Sequence, residues 1–291
     1  MRRIFAVFAG FLLLVPVAAT AQTIARPSLW HVQGRQGDVY LLGSVHILPP
    51  DVQWRSPPIQ DAIARADVFA FEVPQDKKSQ AQVQALIAAK GYLPPGQSLR
   101  PLLKKSAQAD FDAVLASSGL APSAVENTRP WLAGLQLLFA QIAKLKFAVE
   151  NGVDSQLIAE AERAGKPLRY LETIEQQFAL LAPDDRALEM EEFEAGLKDL
   201  KDIGGEIQPM VNAWSRGDQK TLDRLINGDL DRFPKARKAL LDDRNKAWVP
   251  QIAAMLKEKQ TVMVTVGAGH LTGPKGLPAL LRKAGYKVSG P

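Results

Sequence analysis

Apolar runs that end in a glycine or an acid mark the strands of this chain, and helical periodicity fills the stretches between them. Leu29–Gln33 and Val39–His46 flank a Gly34–Asp38 turn and predict a hairpin. Ser56–Ala66 reads as a helix leading into Asp67–Val73, a run that is apolar except for Asp67 and Glu72. Leu168–Glu172 is a shorter run ending in an acid, and Thr261–Val266 is apolar apart from Thr261 and Thr265. Runs without polar alternation predict strands covered on both faces, as in an α/β sheet. Gly276–Ala284 then predicts a closing helix and Tyr286–Ser289 an edge strand.

The middle of the chain has a different period. Gln80–Lys90, Ala107–Ser118 and Leu132–Val149 place apolar residues at helical spacing. Asp154 reads as the cap of a further helix that ends at Gly165. Thr173 and Gln176 fit a capping box. Ala187–Asp202, Glu206–Arg216, Lys220–Ile226 and Ala236–Glu258 continue the helical pattern, the last with an expected kink at Pro250. The expected fold is α/β (α+β): a central mixed β-sheet built from the two ends of the chain, with a large, mostly helical insertion at about 75–165.

Composition narrows the class. Residues 1–21 read as a cleavable signal peptide: Arg2 and Arg3, the apolar Ile4–Val15, then Ala19-Thr20-Ala21. The expectation is an exported protein, periplasmic or secreted, with a single domain over 22–291 and no membrane span once the signal is gone. The chain has no cysteine, which removes disulfides and thiol chemistry. Its charge of +5 comes from interleaved acids and bases. A nucleic-acid surface needs clustered basic residues, so no nucleic-acid partner is expected.

Histidine usage carries the chemistry. There are three in 291 residues, and His46 and His270 each end a Gly-x-x-His after a strand: Gly43-Ser44-Val45-His46 and Gly267-Ala268-Gly269-His270. Gly43 and Gly267 would let the backbone turn or approach a ligand. With Glu72 and Glu172, both histidines lie at carboxyl ends of expected strands, where open α/β sheets bind ligands. Arg244 falls on the apolar stripe of Leu241, Trp248 and Ile252, so its guanidinium faces inward and needs a carboxylate or an anionic ligand. Asn245 beside it could serve the same loop. The plainer alternatives stay open: core histidines, an acid clearing the sheet at Glu72, and an Arg244 ion pair with a core acid such as Glu72. Two imidazoles and a carboxylate can hold a divalent transition metal, and a histidine held by a carboxylate can act as a base without one. No Gly-x-Ser-x-Gly elbow and no His-Glu-x-x-His helix is present.

Several segments together resemble the TraB/GumN family: Tyr40–His46, Phe71-Glu72-Val73, Arg129-Pro130-Trp131, Gly152-Val153-Asp154, Leu171-Glu172-Thr173, Asp243-Arg244-Asn245 and Val266–Leu271. The match runs in order through nearly all of residues 22–291. The resemblance implies kinship with Tiki-type metalloproteases and with erythromycin-esterase-like and ChaN-like folds. Carried over, it implies a site of His46, His270, Glu72 and Arg244. Tiki-type members resemble manganese- or cobalt-dependent peptidases, ChaN-like ones bind haem iron, and erythromycin esterases work without metal. The leading expectation is therefore an exported metal-dependent hydrolase, foremost a peptidase. His46, His270 and Glu72 would hold Mn, Co, Zn or Fe. Glu72 and Arg244 would be catalytic, and Arg244 and Asn245 would contact the peptide or small-molecule substrate. Gly43, Gly267, Asp154 and Glu172 would be supporting residues. The alternatives are a haem, iron or anionic-ligand binding protein without turnover, and a metal-free histidine esterase.

Overall fold

The computed structural model describes residues 24–231 and 233–291. The expected signal peptide lies outside these residues. Six strands form one mixed sheet in the order β4-β3-β5-β2-β1-β6. They are β1 (Leu29–Gln33), β2 (Asp38–Ser44), β3 (Val68–Phe71), β4 (Leu168–Tyr170), β5 (Val262–Gly267) and β6 (Lys287–Ser289). β2, β5, β3 and β4 run parallel, while β1 and β6 are antiparallel additions on one edge.

Both faces of the sheet are covered, which is why its central strands are continuously apolar. Side chains still alternate within each run. Val39, Leu41, Val68, Ala70, Val262, Val264 and Val266 pack on one side with Trp248, Ile252, Leu277 and Leu281. Leu42, Phe69, Phe71 and Met263 pack on the other with Ile59, Leu157, Val211 and Trp214. The expected hairpin, both apolar strands and the β6 edge all form.

Expected and observed boundaries differ where they matter for chemistry. The Val39–His46 run leaves the sheet at Ser44, so His46 lies on a loop two residues past it. Glu72 follows β3 by one residue, and Glu172 follows β4 by two. The insertion at 75–165 falls between β3 and β4, and a second helical stretch fills the gap between β4 and β5. The long 236–258 helix runs through Pro250. Its break from α geometry falls earlier, at a π-turn over Lys238–Asp242, just before the Asp243–Met255 helix.

A satellite core forms in the helical layer from Phe111, Val114, Leu137, Phe193 and Leu197. A buried ion pair ties it down. The Arg129 guanidinium donates to Glu189 at 2.6 Å and to the carbonyls of Lys90 and Pro183, and the Trp131 amide donates to the other Glu189 oxygen. The Arg129-Pro130-Trp131 segment is thus a joint between helices rather than part of the centre described next.

Candidate functional site

The parallel register of β2 and β5 decides the geometry. Leu42 is opposite Thr265, Gly43 opposite Val266 and Ser44 opposite Gly267. The loops that follow these two strands emerge side by side, and β3 on the far side of β5 delivers Glu72 to the same end. His46, Glu72, Glu172, Arg244 and His270, distant in sequence, are therefore brought together at the carboxyl edge of the sheet.

Each histidine has its own second partner. His46 donates Nδ1–H to Asp154 Oδ2 at 2.8 Å, and Ser44 Oγ donates to the same oxygen at 2.6 Å. Asp154 is buried. It sits in the first turn of the Val153–Arg163 helix, whose N-cap is Gly152. The expectation that Asp154 caps this helix is corrected: its carboxylate turns to the sheet and fixes His46. Gly152 makes this docking possible, because a Cβ there would lie 2.0 Å from the His46 carbonyl oxygen. The His46 side chain is 59% exposed, with Nε2 unattached. Desolvation works against a charged His46, but the charge and hydrogen bond of Asp154, helped by Glu72, outweigh it and raise the pKa to about 9. At that exposure solvent screens the pairing, so the upward direction matters more than its size.

His270 sits in a 3₁₀ turn over Ala268–Leu271, and its side chain is 5% exposed. Its Nδ1 lies 2.7 Å from Asn245 Oδ1, and Asn245 Nδ2 donates to the Lys275 carbonyl. Nδ1 must then carry the proton, and Nε2 accepts from Arg244 Nη1 at 3.1 Å. Burial holds the ring neutral. Glu72 favours a proton, yet Arg244 and His46 oppose it, and the pKa falls to about 3. The ring leans on Trp248, 4.4 Å between centroids. Asn245 was expected to contact substrate. It is buried instead, with both ends of its amide spent on His270 and Lys275, so it fixes the His270 tautomer.

Arg244 is the hub. Nε donates to Glu172 Oε1 at 2.8 Å and Nη2 to Glu172 Oε2 at 3.0 Å. Nη2 also donates to Glu72 Oε2 at 2.5 Å, and Nη1 to the Leu240 carbonyl and to His270. A guanidinium has five N–H donors, and these five contacts use them all. Of the readings left open for Arg244, the ion pair with Glu72 forms: the guanidinium lies between buried Glu72 and half-buried Glu172, with no donor left over for a substrate or oxyanion contact in this arrangement. Its carbon also stacks 4.8 Å from the Trp248 ring. The other Glu72 oxygen accepts from the Gly267 amide at 2.7 Å. Burial opposes a charged Glu72, but His270, Arg244, His46 and the Gly267 amide outweigh it, and the pKa falls to about 2. Because His270 is neutral above about pH 3, Arg244, His46 and the amide hold the carboxylate at neutral pH.

Gly267 keeps the centre open. A Cβ at this position would lie 3.3 Å from His46 Nε2, 3.4 Å from Glu72 Oε1 and 3.7 Å from the His270 ring. Gly43 lies behind, with its carbonyl accepting from Trp214 Nε1 at 2.8 Å. A cavity of about 210 Å³ opens beside His46 and Glu72, lined also by Gln75, Val149, Asp154 and Gln177. A larger hollow of about 810 Å³ runs beside β4, past Tyr170 and Gln251. It touches neither histidine, so the smaller cavity is the one with chemistry.

The expected metal trio fits poorly. His270 Nε2 and Glu72 Oε2 already face the Arg244 guanidinium, and among the described residues no group of three His, Cys, Asp or Glu is arranged to hold a metal ion. A divalent ion bridging the three would stand against a fixed positive charge. Haem fits no better, since pockets for ligands of drug size hold roughly 300–1,000 Å³. Reading the sequence missed Ser44; it named Asp154 as a supporting residue but read it as a helix cap rather than as the partner of His46. The signal was present in Gly152-Val153-Asp154: a glycine that can itself be the N-cap leaves the aspartate two residues on free to reach the sheet.

Fold and site together define an α/β protein with paired histidines and a carboxylate at the carboxyl end of its sheet. Residues 28–290 match the TraB/PrgY/gumN family, and the chain belongs to that family. It is 25% identical over 244 residues to "Uncharacterized protein YbaP" of Escherichia coli (strain K12), covering 84% of this chain and 87% of that protein. The protein of the same name from Shigella flexneri matches to the same extent. An "Uncharacterized protein" of Treponema pallidum (strain Nichols) is 22% identical over 303 residues, covering 95% of this chain and 90% of its own length. No solved structure matches.

Proposed function

We propose that this chain is a hydrolase of peptide or ester bonds and that His46 is its general base. One observation carries the reading: His46 has its Nδ1 fixed by a buried carboxylate and its Nε2 free, facing the gap that Gly267 leaves beside Glu72. A water molecule in that gap would lie within reach of both groups. In its neutral form, populated as the pH rises toward about 9, His46 Nε2 takes its proton, and Asp154 stabilises the imidazolium that results. Glu72 accepts the second hydrogen bond and orients the water, and at a pKa of about 2 it stays ionised while doing so. The oxygen then attacks the substrate carbonyl, and His46 returns the proton to the leaving group. His270 and Arg244 hold Glu72 in place.

The site is small, so the scissile group must project into it from a larger substrate or belong to a compact one. The proposal also keeps the exported location implied by the Arg2–Ala21 pattern, and the N-terminal sequence of the mature protein tests that part. For the chemistry, the full chain is treated with chelator and screened against activated esters and a short-peptide library. Turnover that disappears in His46→Ala supports the reading. Turnover unchanged in a folded His46→Ala, or none by wild-type protein on any member of either panel, sinks it.

A further inference from the structure

We infer that Arg244 takes the place of a metal ion in this centre: it excludes divalent cations from wild-type protein, and its removal would unmask a metal site on His46, Glu72 and His270. This concerns the same residues as the hydrolase reading, but its test measures binding and needs no turnover.

A divalent metal in such a centre would neutralise Glu72, occupy His270 Nε2 and share the gap beside His46. Arg244 already does the first two. Its Nη2 lies 2.5 Å from Glu72, and its Nη1 lies 3.1 Å from His270 Nε2, donating into the lone pair a metal would need. Nor is the guanidinium loosely placed. Glu172 grips it through two hydrogen bonds, the Leu240 carbonyl takes another, and Trp248 stacks on it. The π-turn over Lys238–Asp242 ends two residues before Arg244 and contains Leu240. Asn245, next in sequence, sets the His270 tautomer that leaves Nε2 as an acceptor. The helix thus supplies both a cation and the means of aiming a histidine at it. With Arg244 gone, three donors would border one gap: His270 Nε2, the freed Glu72 carboxylate and His46 Nε2, the last two within 3.4 Å of the Cβ position of Gly267. Two imidazoles and a carboxylate form a donor set for first-row transition metals.

The test is calorimetric titration of Mn, Co and Zn into chelator-stripped wild type, Arg244→Gln, and the double variant Arg244→Gln/His46→Ala. Wild type takes up no metal in a one-to-one step. Arg244→Gln binds at least one of the three on the order of 100-fold more tightly, since a like charge has left the site, and gains thermal stability from it. The double variant loses that binding. One-to-one uptake by wild type that His46→Ala abolishes overturns the inference, while the hydrolase reading survives as a metal-assisted one. A folded Arg244→Gln that binds nothing overturns it too. If Arg244→Gln does not fold, the wild-type titration beside His46→Ala still decides whether metal is excluded.

Discussion

His46 and His270 share a Gly-x-x-His pattern and a place at the end of neighbouring strands, yet they are opposite groups. His46 is mostly exposed, and a buried carboxylate on Nδ1 pulls it toward the charged form. His270 is buried, with an amide on Nδ1 and a guanidinium on Nε2, and is kept neutral. The motif therefore specifies where an imidazole is delivered. What that imidazole does is decided by the element packed behind it: the Val153–Arg163 helix for one, the Asp243–Met255 helix for the other. A repeated motif is evidence of a shared site, and it is weak evidence of a shared role.

The contrast can be broken most forcefully at His46, the proposed base. His46→Ala should lower turnover by about 10²–10⁴-fold, the usual contribution of a general base, and lower the melting temperature only modestly, because buried Asp154 loses its imidazole partner but keeps the Ser44 hydrogen bond. His270→Ala should do the reverse in kind. It strips partners from Asn245 and Arg244, and an unsatisfied buried group costs about 1–3 kcal/mol, read as a lower melting temperature before any loss of rate per folded molecule.

Next comes the hub. Arg244→Met leaves Glu72 and Glu172 facing each other in a buried setting without their cation. Breaking a buried pair in this way costs about 3–5 kcal/mol, visible in urea unfolding. Arg244→Lys should recover only part of it, since a lysine cannot make the two-pronged contact with Glu172.

The pH profile separates the two rings more finely. If His46 is the base, kcat/KM rises between the ordinary histidine value of 6.5 and about 9. Asp154→Asn should move that rise down toward 6.5, while a rise left in place by Asp154→Asn would deny Asp154 its influence on the ring. Stability should respond with the sign set by His270. Between pH 6.5 and about 3 the unfolded chain binds a proton that buried His270 refuses, so stability falls as pH falls through that window. His270→Gln should flatten this slope. His46 acts in the other direction: its contribution is full below 6.5 and is lost as pH rises through about 9.

Much of this contrast was legible in the sequence, and the remainder had physical reasons for being hidden. Apolar runs with glycine or an acid at the end located β2, β3 and β5 and put His46, Glu72 and His270 at one edge. The helical stripe put Arg244 on a buried face, and an ion pair with Glu72 was among the readings left open. What could not be read was pairing across the chain. Asp154 looked like a cap because short acids at helix starts usually are, and only the close approach that Gly152 permits shows that it serves His46. Asn245 looked available because it neighbours Arg244, yet adjacent residues on a helix face different directions. Sequence spacing likewise could not show that all five Arg244 donors would be taken, which is what turns a candidate catalytic residue into a fixed charge.

The placement of β5 between β2 and β3 also has a consequence in time. Without that strand the N-terminal hairpin and β3 share no ladder, and the loop carrying His270 does not yet exist. A chain still being synthesised therefore holds His46 and Glu72 in separate pieces, with neither the Gly267 amide nor the Arg244–His270 contact to align them. The centre is complete only once β5, the last of the parallel strands in the chain, lies between β2 and β3. Until then the polypeptide carries the parts of the proposed site apart from one another, with no assembled centre to act on anything, its own unfolded segments included.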